Sequence, residues 1–139
     1  MKRSASAVWH GNIKEGQGII STESKAINNI PYSFAKRFGS EPGTNPEELI
    51  GAAHAGCFAM ALSAELSKQN ITADSIDVKA EVGLEKQGEG WNIPSVRLIV
   101  KVTAPQQDKG LVEQAAKSAK ENCPVSKLLR AEITMDLTT

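Results

Sequence analysis

A chain of 139 residues is long enough for one domain with a real core and too short for two. Sixteen Lys and Arg balance sixteen Asp and Glu, and aromatic residues are scarce. That excludes the broad basic field and the stacking platforms of a nucleic-acid binder, and any charge-driven attraction to an anionic membrane. The opening residues, MKRSASAVWHGNIKEG, have a positive end with no apolar segment behind it, so no signal peptide is read there. The longest apolar stretch, Leu49 to Leu62, contains His54 and is too short for a bilayer. The expectation is a soluble cytoplasmic protein. In a reducing compartment its two cysteines are reactive, metal-bound or buried more often than they form a structural staple.

The N-terminal third reads as short strands, Ser4 to His10, Gly18 to Ser24 and Pro31 to Phe38, with Gly and Asn between them. In TNPEELIGAAHAGCF, Asn45 suits an N-cap, Pro46 the first helical position, and Glu48 completes the spacing of a capping box. The spacing predicts a helix from Pro46 to about Lys68, apolar or small almost all round and therefore central and buried. Ile76, Val78, Ala80, Val82 and Leu84 alternate with polar residues, as do Val96, Leu98, Val100 and Val102 beyond the KQGEG turn. Together they predict a hairpin with one wet face. A second helix is expected over Lys109 to Glu121, broken at Cys123-Pro124, with a short turn of helix through Leu129. A last strand carries Ile133, Met135 and Leu137. The order βββ-α-ββ-α-β, without a βαβ rhythm, predicts an α+β fold with mostly antiparallel sheet.

The central helix carries Gly51, Ala55 and Ala59 at four-residue spacing, with Ala52 and Gly56 on the adjoining line. Small residues at that interval let another backbone come close, either the protein's own sheet or the same helix of a second subunit. A helix apolar on every side of so small a domain favours the homodimer. His54 and Cys57 lie one turn apart on this helix, and with Cys123 and His10 they could in principle complete a Cys2His2 zinc site. Nothing in the spacing pairs the other two ligands, and His54 is more often a hydrogen-bonded core histidine. A cysteine hydrolase using Cys57 would need His54 as base, and a neighbour on the same helix is poorly aimed for that.

Cys123 precedes Pro124, and a short helix starting there would favour its thiolate through backbone N–H groups. Cys57 lies about three turns into its own helix, beyond the reach of the helix dipole. A reactive Cys57 therefore needs a cation, and Arg37 in FAKRFG is the nearest candidate in sequence.

The chain resembles the OsmC/Ohr family of osmotically inducible and organic-hydroperoxide-resistance proteins, closest to the OsmC branch. The likeness runs through VWHGNIKEGQG, STES, PYSFAKRF, GTNPEELIGAAHAGCFAMALS and NCPVSKLLRAEI. It implies a thiol-dependent peroxidase that reduces organic hydroperoxides, folded as an intertwined homodimer with long central helices wrapped by sheets. By the same resemblance Cys57 matches the peroxidatic cysteine and Cys123 the resolving one. Arg37 matches the arginine that holds the thiolate, and Glu47 the carboxylate that holds the arginine. No metal or flavin is implied, and an external dithiol or lipoyl group would be the reductant. The alternative is a zinc-binding or structural dimeric domain without peroxidase activity.

Overall fold

Trp9 and Tyr32 meet over Gly18, their ring centroids 5.3 Å apart. The pairing registers put Gly18 opposite both aromatics, and a Cβ there would lie 2.4 Å from the Tyr32 ring. Only glycine fits beneath the two rings. A computed structural model describes residues 1–139 and divides them into two compact units, Met1–Leu49 and Ile50–Thr139. In the first unit, β1 (Ala5–His10), β2 (Gln17–Thr22) and β3 (Ile30–Ser33) form an antiparallel sheet in sequence order. The strand expected through Phe38 stops at Ser33. There the Ser33 hydroxyl accepts from the Lys36 N–H at 3.2 Å and caps a short helix, α1 (Phe34–Phe38). What looked like strand alternation is an i, i+4 aromatic pair, Phe34 and Phe38, with centroids 4.8 Å apart.

The long helix α2 (Pro46–Ser67) starts where the sequence places it. Asn45 Oδ1 accepts from the Glu48 N–H at 2.9 Å. The Glu48 carboxylate takes the Thr44 hydroxyl at 2.8 Å instead of closing a full capping box. The unit boundary falls in the first turn of α2, so Glu47 belongs to the first unit and Cys57 to the second. The helix is not buried all round. Gly51, His54, Phe58, Leu62 and Leu66 form one buried stripe, while Ala52, Ala53, Gly56, Met60 and Ala64 are exposed. At 22 residues α2 is long and apolar enough to cross a bilayer by length and composition alone, more than the shorter apolar run suggested. Here, however, Phe58, Leu62 and Leu66 are built into the core of the second unit.

That core rests on β4 (Ser75–Val82), the small β5 (Glu85–Gln87) and β6 (Gly90–Asn92) hairpin, and β7 (Ser95–Thr103). Val96, Leu98, Val100 and Val102 of β7 are buried, and they face Val82, Ala80, Val78 and Ile76 of antiparallel β4. Helices α3 (Lys109–Asn122) and α4 (Pro124–Leu128) then lead to β8 (Glu132–Thr138). The expectation of an antiparallel sheet fails at one place, because β8 pairs with β7 in parallel. The helical passage through α3 and α4 carries the chain back to the starting end of β7, as a parallel partner requires. Val112, Ala115, Ala116 and Ala119 of α3 and the stripe of α2 complete the core. Each fully buried Leu or Phe contributes about 1.5–3 kcal/mol.

Candidate active site

The site residues expected from sequence fall into two groups, one in each unit. In the first unit, Arg37 sits in the last turn of α1 and Glu47 in the first turn of α2. Arg37 Nε donates to both Glu47 oxygens at 3.2 Å, and Nη2 donates to Oε1 at 2.7 Å. The carboxylate is buried, with 10% of its side chain exposed against 33% for the arginine. Such a two-pronged, partly buried ion pair fixes the plane of the guanidinium. Arg37 also lies over the Phe38 ring, 5.0 Å from its centroid. Beside it a cavity of about 250 Å³ is lined by Trp9, Ile13, Tyr32, Phe34, Arg37 and Phe38. Trp9, Ile13 and Tyr32 were not expected at the site. The Trp9–Gly18–Tyr32 register was the only signal, and it depends on strand pairing.

In the second unit the two thiols meet. Cys123 Sγ lies 3.2 Å from Cys57 Sγ, both cysteines being reduced. Cys123 is sealed from solvent while Cys57 remains partly open. Burial pushes the Cys57 thiol above its ordinary value, and the neighbouring Cys123 adds to the rise against one backbone N–H contact from Val125. Cys123 behaves in the opposite way. Burial raises it, but the polar groups around it, the Ser126 and Val125 N–H, the Cys57 thiol and the Ser126 hydroxyl, outweigh that and bring it below the usual thiol range. Cys123 is the residue before α4 as expected, although its sulfur makes no short capping bond. No cation contributes to either shift.

His54 is fully buried, and its Nε2 lies 2.8 Å from Ser126 Oγ. Burial lowers its pKa, so the imidazole is neutral near pH 7. No cluster of three or more His, Cys, Asp or Glu side chains is gathered as metal ligands, so the Cys2His2 set weighed from sequence is not assembled. The hydrolase alternative also loses its base, since the ring nitrogen facing a partner is committed to Ser126. Ser126 was missed because it is 72 residues from His54 and has no local signature. Of the two readings of the small-residue line, Gly51 takes the first, packing on the protein's own sheet. A Cβ on Gly51 would meet the Ala80 carbonyl at 3.3 Å, so Gly51 faces the protein's own strand, whereas a Cβ on Gly56 would meet nothing. The bare face runs through Ala52, Gly56 and Met60.

The mixed sheet-and-helix fold thus brings two free thiols into contact. The chain belongs to the family of OsmC-like proteins, whose model matches residues 39–138. It is 49% identical to peroxiredoxin OsmC of Escherichia coli over 130 residues, covering 94% of this chain and 91% of that protein. It is 31% identical to the organic hydroperoxide resistance protein OhrB of Bacillus subtilis over 128 residues, covering 91% and 87%. Among solved structures, an organic hydroperoxide resistance protein OsmC from Legionella pneumophila shares the fold with a TM-score of 0.77 at 23% identity. That likeness covers 98% of this chain and 97% of that one.

Proposed function

We propose that the chain reduces organic hydroperoxides to alcohols through Cys57, with Cys123 as the resolving thiol. The names of its relatives support a peroxide-related oxidoreductase function, and the contact between the two sulfurs carries the finer reading. Cys57 is the open sulfur and Cys123 the sealed one, so an incoming peroxide reaches Cys57 first. The Cys57 thiolate attacks one peroxide oxygen, the O–O bond breaks, and the alkoxide leaves with a proton as the alcohol. Cys57 becomes a sulfenic acid. Cys123 then attacks that sulfur, water leaves, and an intrachain disulfide forms. An external dithiol or lipoyl group returns the two electrons. No metal or flavin enters these steps, and a chain with two cysteines that cycle between thiol and disulfide suits a reducing compartment such as the cytoplasm.

Within its unit Cys57 is pushed toward the inert thiol by burial, so this chemistry requires a cation. Arg37, held by Glu47, is the proposed source, with its Nη1 left for the thiolate and the peroxide. The reading places the pair on a second copy of the chain. Helix α2 is unbroken from Pro46 to Ser67, and ten residues of helix separate Glu47 from Cys57 by about 15 Å along the axis. A homodimer joined through the bare Ala52, Gly56 and Met60 face would bring one copy's guanidinium to the other's sulfur, with the two units of each chain working as one domain. The cavity walled by Phe34, Phe38, Trp9 and Ile13 suits an alkyl or aryl group. Phe58, in the core, and Met60, 77% exposed, are not part of that wall. Each buried methylene contributes about 0.8 kcal/mol, so bulky hydroperoxides are favoured over hydrogen peroxide. The test is a thiol titration before and after one equivalent of cumene hydroperoxide. Loss of both thiols, with a mass two hydrogens lower per monomer, is the expected outcome. No thiol loss, or a covalent dimer as the main product, would sink the reading.

A further inference from the structure

His54 and Ser126 have no part in the chemistry above, yet they repeat its geometry one helical turn away. His54 stands three residues before Cys57 on α2, and Ser126 three residues after Cys123. The contacts between the two stretches run in reverse order. Cys57 Sγ meets Cys123 Sγ at 3.2 Å, and His54 Nε2 meets Ser126 Oγ at 2.8 Å. The stretches therefore lie antiparallel, joined by a sulfur rung and a polar rung one turn apart. His54 is sealed in the core, and its other ring nitrogen, Nδ1, is buried without a partner. A buried N–H lacking an acceptor is far rarer than an under-used acceptor. The ring proton therefore belongs on Nε2, and His54 donates to the Ser126 hydroxyl. Helix α4 has little else to hold it. None of its five residues is buried, and Leu128 is 78% exposed. Val125 and, just beyond the helix, Leu129 lean on the core. The Cys123 N–H donates to the Ala119 carbonyl at 2.8 Å, and the Cys123 carbonyl accepts from the Lys127 N–H at 3.0 Å. The resolving cysteine thus belongs to the first turn of α4 and moves with it.

We infer that the His54–Ser126 hydrogen bond is a clamp that docks α4 on α2 and sets the register in which Cys123 meets Cys57. His54 and Ser126 are positioning residues, acting on the reaction only through the alignment of the two sulfurs. The clamp rests on the Cys57–Cys123 reading of the function and deepens it. In resolution, the Cys123 thiolate forms the S–S bond while the S–O bond of the Cys57 sulfenic acid breaks. The departing hydroxide takes the proton that Cys123 gave up and leaves as water. For this the sulfurs must close from 3.2 Å to about 2.0 Å. A conformer with α4 lifted from α2 contributes nothing to that step, so the closing rate scales with the docked fraction. Without Ser126 the buried Nε2 proton finds an acceptor only in water, which favours the lifted state. The return step feels the clamp as well. An external dithiol supplies two electrons and is oxidised to its own disulfide, and the Cys57–Cys123 bond resists it better the more firmly the two thiols are held together. The first attack on peroxide differs, because α2 alone carries Cys57. A clamp therefore acts on disulfide closure and leaves sulfenic acid formation alone.

The test uses Ser126→Ala, His54→Leu, the two together, Ser126→Thr and His54→Gln in the full chain, each checked for folding by thermal melting. One equivalent of cumene hydroperoxide starts a single turnover. Dimedone capture of the Cys57 sulfenic acid and the rate of disulfide closure are then followed separately. Losing a hydrogen bond and stranding its buried partner corresponds to roughly tenfold. Ser126→Ala and His54→Leu should each close the disulfide about tenfold more slowly and accumulate the adduct, with sulfenic acid formed at the wild-type rate. The double variant should be no slower than either single one, because the two residues make one contact. Ser126→Thr keeps the hydroxyl and His54→Gln keeps a donor, so both should restore closure. A second measurement needs no peroxide. Equilibration with dithiothreitol should place the Cys57–Cys123 couple of Ser126→Ala about 30 mV above wild type, the equivalent of tenfold for two electrons. Wild-type closure with an unmoved potential in Ser126→Ala overturns the clamp and leaves the proposed function standing. So do losses that add in the double variant, or that threonine and glutamine fail to recover. A wild-type protein that forms no Cys57 adduct with peroxide overturns the proposed function, while the potential of Ser126→Ala still decides the clamp by itself.

Discussion

The arginine half and the thiol half of the candidate site are built on opposite principles. Arg37 and Glu47 stand at the ends of two helices in the smaller unit, on local sequence with few core contacts, and are held by a charge-assisted fork. Cys57 and Cys123 sit against the valine and alanine core of the larger unit, where burial sets the terms. Charge placed in the second environment would be expensive, and charge in the first is comparatively easy to hold. The lesson is a division of labour. The cation is kept where water and a carboxylate can stabilise it, and the sulfurs are kept where neighbours tune their protons.

The sharpest way to break this division is to remove one sulfur at a time. Cys57→Ser should drop hydroperoxide consumption to the uncatalysed background. Cys123→Ser should permit one turnover and leave a sulfenic acid at Cys57, read by mass after dimedone. Because Cys123 is the more acidic sulfur in this chain, exchanged roles are the informative alternative. A Cys57→Ser protein that still consumes peroxide at the wild-type rate would establish them.

Removing the cation tests the other half. Arg37→Met keeps an apolar stem but no charge, and a nearby opposite charge typically moves a pKa by about 1–3 units. The second-order rate with cumene hydroperoxide near neutral pH should fall by about a hundredfold. Arg37→Lys should recover little, since an ammonium cannot copy the fork on Glu47. A rate within twofold of wild type in Arg37→Met would remove the arginine from the mechanism.

Joining the halves gives a smaller effect, a factor of two. Mixed dimers of Glu47→Ala and Cys57→Ser chains, each inactive alone, should contain one intact site if the arginine pair serves the partner's sulfur. A purified mixed dimer should then show about half the wild-type activity, because two independent sites contribute equally. No activity in that species, with exchange verified by a tag, would put both groups in one chain's site.

How much of this was legible depended on whether the signal was local. The Asn45 cap, the β4 and β7 alternation and the Cys123-Pro124 break could all be read within a few residues. Pro31 to Phe38 was misread because strand and helix periods agree at i and i+4, and only the Ser33 cap separates them. The parallel pairing of β8 was missed because α3 and α4 together serve as a crossover, which a pattern of separate helices conceals. The bare stripe on α2 could not be told from the packed one, since alanine and glycine occupy both. For the site, the cysteine motifs pointed to both sulfurs. The imidazole behind them looked like ordinary core, and its partner became visible only in three dimensions.

The last prediction concerns that imidazole and is the smallest in size. Burial lowers the pKa of His54, while in the unfolded chain it titrates near the ordinary value of about 6.5. Above that value neither state carries the proton, and the folded chain is at full stability. As pH falls through it, the unfolded chain binds a proton that the folded chain resists, so stability declines until the folded pKa is reached. The loss of stability on going from pH 7.5 to 5.5 therefore has the sign set by the lowered pKa of His54. His54→Gln keeps a donor for Ser126 and does not titrate, so urea denaturation of the variant should lack this part of the slope. The opposite result, equal slopes in both proteins, would mean that His54 is charged or solvated in the folded state.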